Sequence, residues 1–139
     1  MLPQGSRGQG FKGSREMLKN YKELKVWQRS YAVCIRLYQT TTKFPVEERY
    51  GLTSQIRRSA VSIPSNIAEG YGRRTTADYI RFLFIAYGSL CELETQIMLA
   101  SDLKYITDGN IEDILMDISE LERMLKALIR SLEEKTSTP

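Results

Sequence analysis

The stretch YIRFLFIAYGSLCELETQIMLA, residues 79–100, decides the fold of this 139-residue chain. Its apolar residues recur at alternating steps of four and three, which places them along one side of an α-helix. This row consists of Tyr79, Leu83, Ala86, Leu90, Leu93, Ile97 and Ala100. A neighbouring row, which includes Phe84 and Met98, widens the apolar face, so we expect the helix to be buried on two sides. Thr75 and Asp78 form a capping box that predicts its start.

The first predicted helix, from about Tyr21 to Thr40, has two apolar rows. A bundle helix in a monomer needs only one row against the core. The first row has the 3-4-3-4 spacing of a core seam and is therefore assigned to the core. It consists of Leu24, Trp27, Tyr31, Cys34 and Tyr38. The second row consists of Val26, Val33 and Leu37. We assign it to another contact, such as another subunit.

The second helix is predicted from Leu52 to the glycines at positions 70 and 72, with Pro64 inside it. Its apolar row and its polar row keep their angles across Pro64, so the helix is expected to continue. An interior proline removes the N–H that would bond the carbonyl of Ala60, and we expect a kink. Ser62 and Asn66 are polar residues able to bond the backbone groups that a kink exposes.

The fourth helix is again a clean heptad pattern, with Thr107 or Asp108 as its expected N-cap. Four such helices with short connections predict an all-α fold, an antiparallel up-down-up-down left-handed four-helix bundle. We assign the bundle to residues 19–135. A flexible basic arm is predicted at 1–18 and a frayed tail at 136–139.

Charge is distributed unevenly along the chain. Residues 21–74 carry ten Lys or Arg and four Glu, whereas residues 75–139 carry six Lys or Arg and twelve Asp or Glu. Two interpretations remain open at this point. The opposite charges pair between neighbouring helices, or the basic half offers a face to an anionic partner.

Histidine is absent, which excludes Ser-His-Asp and Cys-His catalysis within the chain and leaves zinc without a ligand set. We expect no metal, cofactor or small-molecule substrate. Glu69 would act as a catalytic base only if desolvated, so the chain is not expected to be an enzyme. Cys34 and Cys91 are expected to be core thiols in the reducing cytoplasm. No run of 18 apolar residues predicts a membrane span.

The polar residues around the proline have two open explanations. They repair a kinked helix, or they contact something outside it. The residues assigned to structure and assembly are Ser62, Pro64, Asn66 and Glu69. We expect Asn66 and Glu69 to form hydrogen bonds between helices or between subunits.

A resemblance rests on YKELKVWQRSY at 21–31, on FPVEERYGLTSQIRRSAVSIPSNIAEGYGR at 44–73, and on the stretch at 79–100. These segments resemble the small four-helix-bundle proteins encoded in intervening sequences of bacterial 23S ribosomal RNA genes. The resemblance implies a closed homopentameric ring without catalytic residues. It also implies a distant relationship to the accessory proteins of diversity-generating retroelements, which are basic pentamers that bind a reverse transcriptase and nucleic acid.

We therefore predict a non-enzymatic homopentameric bundle in the cytoplasm that binds nucleic acid, with structured RNA as the first choice and a reverse transcriptase as a further partner. The alternative is a scaffold that docks a partner protein without touching nucleic acid. Few aromatic residues are expected at exposed positions, so backbone and shape contacts should dominate over base contacts. The expected phosphate contacts are Lys22, Lys25, Arg29, Arg36, Arg57, Arg58, Arg73 and Arg74.

Overall fold

The computed structural model describes residues 19–137, and their main elements are four α-helices. The helices are α1 at Lys25–Thr41, α2 at Leu52–Tyr71, α3 at Thr76–Asp102 and α4 at Asp108–Ser137. Successive helices pack side by side, and α1 also packs against α4. Because the connections are short, successive helices run antiparallel, and the predicted up-down-up-down four-helix bundle is confirmed. The predicted arm at 1–18 and residues 138–139 lie outside the described residues.

The start of the first helix differs from the prediction. Residues 21–23 form a separate 3-10 turn, in which the side chain of Asn20 accepts a hydrogen bond of 2.8 Å from the backbone N–H of Lys22. Leu24 is extended, with a ψ of 127°, and this residue separates the 3-10 turn from α1. The predicted capping box of the third helix is confirmed on its Thr75 side, since the Thr75 hydroxyl accepts from the N–H of Asp78 at 3.1 Å.

The core consists mainly of the rows predicted for α2, α3 and α4. Ile56, Leu83 and Ile118, one from each helix, are completely buried. The second side of α3 is different, because Phe84 and Met98 are 49% and 52% exposed. Burial of α3 on two sides is therefore not present within one chain.

The core row predicted for α1 is wrong. Val33 and Leu37, which were assigned to an outside contact, are 4% and 0% exposed and belong to the core. Tyr31 and Tyr38, which were assigned to the core, are 50% and 40% exposed. The other members of that row, Leu24, Trp27 and Cys34, are partly buried at the edge of the core.

Two hydroxyl residues explain the error on α1. Ser30 and Thr41 are buried in the same row as Val33 and Leu37, although their side chains are polar. The Ser30 hydroxyl donates to the carbonyl of Trp27 at 2.9 Å, and the Thr41 hydroxyl donates to that of Leu37 at 2.8 Å. Because each hydroxyl bonds its own helix, burial leaves neither donor unsatisfied. The core row of α1 therefore contains polar residues, and a search for apolar residues alone does not find it.

The two cysteines are both free, and one of them departs from the predicted core position. Cys34 is half-buried, and this burial raises the pKa of its thiol, so the thiol stays protonated at neutral pH. Cys91 is exposed on α3, so the expectation of a core thiol is wrong there.

The composition of α3 alone would allow it to cross a membrane, since its most apolar 18-residue window has a mean hydropathy of 1.2. The same apolar residues form the centre of the bundle, between α2 and α4. The central helix of a bundle needs apolar residues to fill the core, so the hydropathy of α3 is only weak evidence for a membrane span.

The proline-containing helix is continuous, as predicted, with Pro64 buried inside α2. The Asn66 amide donates to the carbonyl of Ser62 at 2.8 Å and to its hydroxyl at 3.0 Å. The Ser62 hydroxyl in turn lies 2.8 Å from the hydroxyl of Ser89 on α3. Asn66 thus bonds within its own helix, and its described link to α3 runs through Ser62.

Glu69 does not form the expected bond between helices of one chain. Its carboxylate pairs with Arg73 of the same helix at 2.8 Å, on the surface of the bundle. A bond between subunits stays a prediction for both Asn66 and Glu69.

Candidate nucleic-acid interface

The up-down topology brings four chain segments together at each end of the bundle. One end, which we call the basic end, consists of residues 19–29, 69–81 and 126–137. Contacts between Tyr71 of α2 and Tyr79 of α3, with ring centroids 5.9 Å apart, lie at this end. The opposite end, which we call the acidic end, consists of residues 36–58 and 92–120.

The two ends carry opposite excess charge. The basic end has ten Lys or Arg and five Asp or Glu, whereas the acidic end has six Lys or Arg and ten Asp or Glu. The ten cations of the basic end are Lys19, Lys22, Lys25, Arg29, Arg73, Arg74, Arg81, Lys126, Arg130 and Lys135. The polarity therefore runs along the bundle axis, and it does not simply separate the first half of the chain from the second.

Five of the eight predicted phosphate contacts lie at the basic end. They are Lys22, Lys25, Arg29, Arg73 and Arg74, and all five are exposed. Arg73 is also engaged within the chain, because it pairs with Glu69 and lies over the ring of Phe82 at 4.7 Å. The other four have no such described ion pair and are the strongest candidates of the predicted set.

Arg36 lies apart from this group and is largely neutralised. Its guanidinium is 3.4 Å from the carboxylate of Asp117 and 3.7 Å from that of Asp113, both on α4. Arg36 thus follows one of the two interpretations left open, in which opposite charges pair between neighbouring helices. Phosphate binding by Arg36 stays a prediction, and we expect it to be weaker than at the unpaired cations of the predicted set.

Arg57 has a structural role at the acidic end. Its Nε donates to the hydroxyl of Thr41 at 2.8 Å, and an Nη donates to the carbonyl of Tyr38 at 3.1 Å. The carbonyl of Tyr38 belongs to the last turn of α1, where no intrahelical N–H is left to bond it. Arg57 thus caps α1 from α2, whereas its neighbour Arg58 is exposed.

Adjacent arginines allow a matched test of this cap. We expect Arg57→Ala to lower the free energy of unfolding by about 1–2 kcal/mol, because it removes charged hydrogen bonds to α1. Arg58→Ala should change stability by less than about 0.5 kcal/mol. Urea unfolding followed by circular dichroism measures both. Equal effects of the two variants would contradict a capping role.

Four cations of the basic end were missed because they belong to the acidic half of the sequence. They are Arg81, Lys126, Arg130 and Lys135. A hydrogen bond to Glu122 raises the pKa of Lys126, so this ammonium remains charged. The heptad pattern of the fourth helix together with the up-down order would have placed its last turns beside the start of α1.

A shallow groove adjoins these cations between α3 and α4. It has a volume of about 210 Å³ and is lined by Phe84, Tyr87, Lys126, Ile129, Arg130 and Glu133. Its floor is apolar and its rim carries charges of both signs. The groove is therefore suited to a side chain of a protein partner more than to a phosphate.

The architecture and the sequence both match a known family. The family model described as 23S rRNA-intervening sequence protein matches residues 22–127, which is most of the described bundle. The chain belongs to the 23S rRNA-intervening sequence protein family. Seven of the ten cations at the basic end lie within the residues matched to this family, and Lys19, Arg130 and Lys135 lie outside them.

A solved structure supports the family assignment. The crystal structure at 1.70 Å of a protein with unknown function from the S23 ribosomal protein family of Bacteroides thetaiotaomicron VPI-5482 superposes with a TM-score of 0.71. The two sequences are 29% identical, and the match covers 76% of this chain and 95% of the other. No curated protein matches the chain. A relationship of the chain to retroelement accessory proteins stays a prediction.

Proposed function

We propose that this chain is a non-enzymatic, cytoplasmic, homo-oligomeric module that binds structured RNA through the basic end of its bundle. The observation that carries the proposal is the separation of charge along the bundle axis, with ten cations and five anions at one end. The family description, which names a ribosomal RNA, supports an RNA partner.

Phosphate binding would follow from the exposed cations of the basic end. Lys22, Lys25, Arg29 and Arg74 belong to segments that adjoin at this end and are exposed. Each cation that neutralises a phosphate releases a condensed counterion, which supplies binding free energy that falls as salt rises. A surface of this kind reads the backbone and the shape of the RNA.

Assembly would multiply this charge. We propose a homopentamer, as the resemblance implies, and the half-exposed apolar residues of α3, such as Ile85, Met98 and Leu99, are compatible with further contacts between subunits. Five basic ends in one ring would form a large positive surface. A reverse transcriptase as an additional partner rests on the resemblance alone.

Charge reversal at the basic end tests the proposal. We expect Lys25→Glu combined with Arg29→Glu to weaken binding of a labelled structured RNA at least about tenfold and to reduce the slope of log affinity against log salt by about 1.5. Fluorescence anisotropy across a salt series measures both quantities.

The matched control reverses two exposed cations at the acidic end, Lys43→Glu combined with Arg49→Glu. This variant has the same change in net charge but should leave the affinity within about twofold of the wild type. Equal losses in the two double variants would show that net charge alone, and not the basic end, governs binding. No binding by the wild type at low salt would reject the RNA-binding function.

A protein-docking scaffold is the second candidate function, and the groove between α3 and α4 favours it. Phe84 is 49% exposed at this groove, and Ile129 lies in its floor. Co-purification of one defined protein in the presence of ribonuclease would support this function.

A further inference from the structure

The row of α1 that was predicted for the core contains three partly exposed rings, those of Trp27, Tyr31 and Tyr38. Together with Tyr21 of the preceding 3-10 turn, they form what we call the aromatic strip. The rings of Tyr21 and Trp27 meet edge to face with centroids 5.3 Å apart. Trp27 and Tyr31 are stacked, with centroids 5.0 Å apart and planes inclined by 21°. Tyr31, at one end of this stack, is 50% exposed.

The far end of the aromatic strip is Tyr38, which is 40% exposed. The guanidinium carbon of Arg57, held by its bonds to the end of α1, lies 4.6 Å from the centroid of the Tyr38 ring. Trp27 and Tyr38 are separated by about 16 Å along the helix axis. This length accommodates a few nucleotides in a line.

Cations predominate around the aromatic strip, although Glu23 lies within its first turn and Arg36 pairs with Asp113 and Asp117 of α4. The segment that forms α1 has three cations and no Asp or Glu. At the start of the strip, the ammonium of Lys22 is 5.9 Å from the centroid of Tyr21. Lys25 and Arg29 occupy the opposite flank of the same helix at the basic end. A polyanion that crosses α1 would therefore meet rings on one flank and cations on the other.

We propose that the aromatic strip is a stacking platform for unpaired bases of RNA, such as those in the loops of a structured RNA. This inference rests on the proposed function and extends it, since the basic end holds phosphates and the strip holds bases. Every base has a π face, so such a platform binds single strands with little sequence preference. This proposal replaces the expectation from sequence that backbone and shape contacts dominate over base contacts. That expectation assumed that few aromatic residues are exposed.

Two probes of equal length separate the two kinds of contact. One is an oligouridylate of about ten nucleotides, and the other is an abasic strand with the same number of phosphates. Trp27 is the single tryptophan of the chain, so its fluorescence reports on the strip without a label. We expect the wild type to bind oligouridylate at least about fivefold more tightly than the abasic strand, with quenching of Trp27 by oligouridylate only.

Substitutions at Tyr31 assign the difference to the strip. Tyr31→Ala should bring the affinity for oligouridylate down to that for the abasic strand, whereas Tyr31→Phe should keep the difference. Tyr50→Ala is the matched control, because it removes the same side chain from an 89% exposed position at the acidic end. It should change neither affinity.

The outcomes distinguish this inference from the proposed function. Equal affinity of the wild type for the two strands, without quenching, would overturn the stacking platform and leave phosphate binding in place. Failure to bind either strand at low salt would overturn both. A change in oligomeric mass in Tyr31→Ala, measured by light scattering without RNA, would show that a second copy of the chain covers the strip, and would also overturn the inference.

Discussion

Leu37→Ala is expected to lower the free energy of unfolding by about 2–5 kcal/mol, one of the largest effects of any single substitution in α1. Leu37 is completely buried in the core, so its removal loses apolar contact and leaves a cavity. Urea unfolding followed by circular dichroism would measure the change.

The control is Tyr31→Ala, which removes a larger side chain from the row that the spacing in the sequence assigns to the core. Because Tyr31 is half exposed and stacks on Trp27, its loss should cost less than about 1.5 kcal/mol. A greater loss of unfolding free energy in Tyr31→Ala than in Leu37→Ala would show that the row predicted from the spacing is the buried one. The small expected cost also keeps Tyr31→Ala folded for the RNA-binding experiment.

Gly70→Ala is expected to lower the free energy of unfolding by about 1–3 kcal/mol through steric overlap. A Cβ atom at Gly70 would lie 2.7 Å from the Cβ of Phe82 and 3.2 Å from the carbonyl oxygen of Tyr79. The end of α2 and the start of α3 would have to move apart to accept it. Thermal unfolding followed by circular dichroism would detect the change.

Gly88 in the middle of α3 is the matched control for Gly70. A Cβ atom there meets nothing within 4 Å. Gly88→Ala should therefore raise the free energy of unfolding by about 0.5–1 kcal/mol, because alanine has the lower conformational entropy in the unfolded chain. Destabilisation by both substitutions to a similar degree would contradict a close approach of the helices at Gly70.

The separation of charge along the bundle axis has a consequence for variants at the surface. Arg36 and Arg74 are both arginines of the basic half of the sequence, yet Arg36 faces two carboxylates of α4. Arg74 is exposed in the turn between α2 and α3, at the basic end. Neutralising Arg74 should therefore weaken the binding of a polyanion more than neutralising Arg36 does, although each change removes one positive charge.

The sequence by itself determined the number of helices, their order and the core rows of three of them. Those rows are long and regular, and the row from Tyr79 to Ala100 is buried as its spacing predicts, although the apolar row beside it is not. Turn and capping residues also act locally, so the cap at Thr75 and the glycine at the end of α2, Gly72, could be predicted without knowing the partner helices.

Only the tertiary structure decided which face of α1 is buried and which cations come together. Two rows of α1 have comparable spacing, and the choice depends on how closely α1 approaches its neighbours and on whether Ser30 and Thr41 can bond their own helix. The basic end combines residues far apart in the chain, such as Lys22 and Arg130. Burial and electrostatic potential are properties of packed neighbours in space, and periodicity along one helix does not contain them.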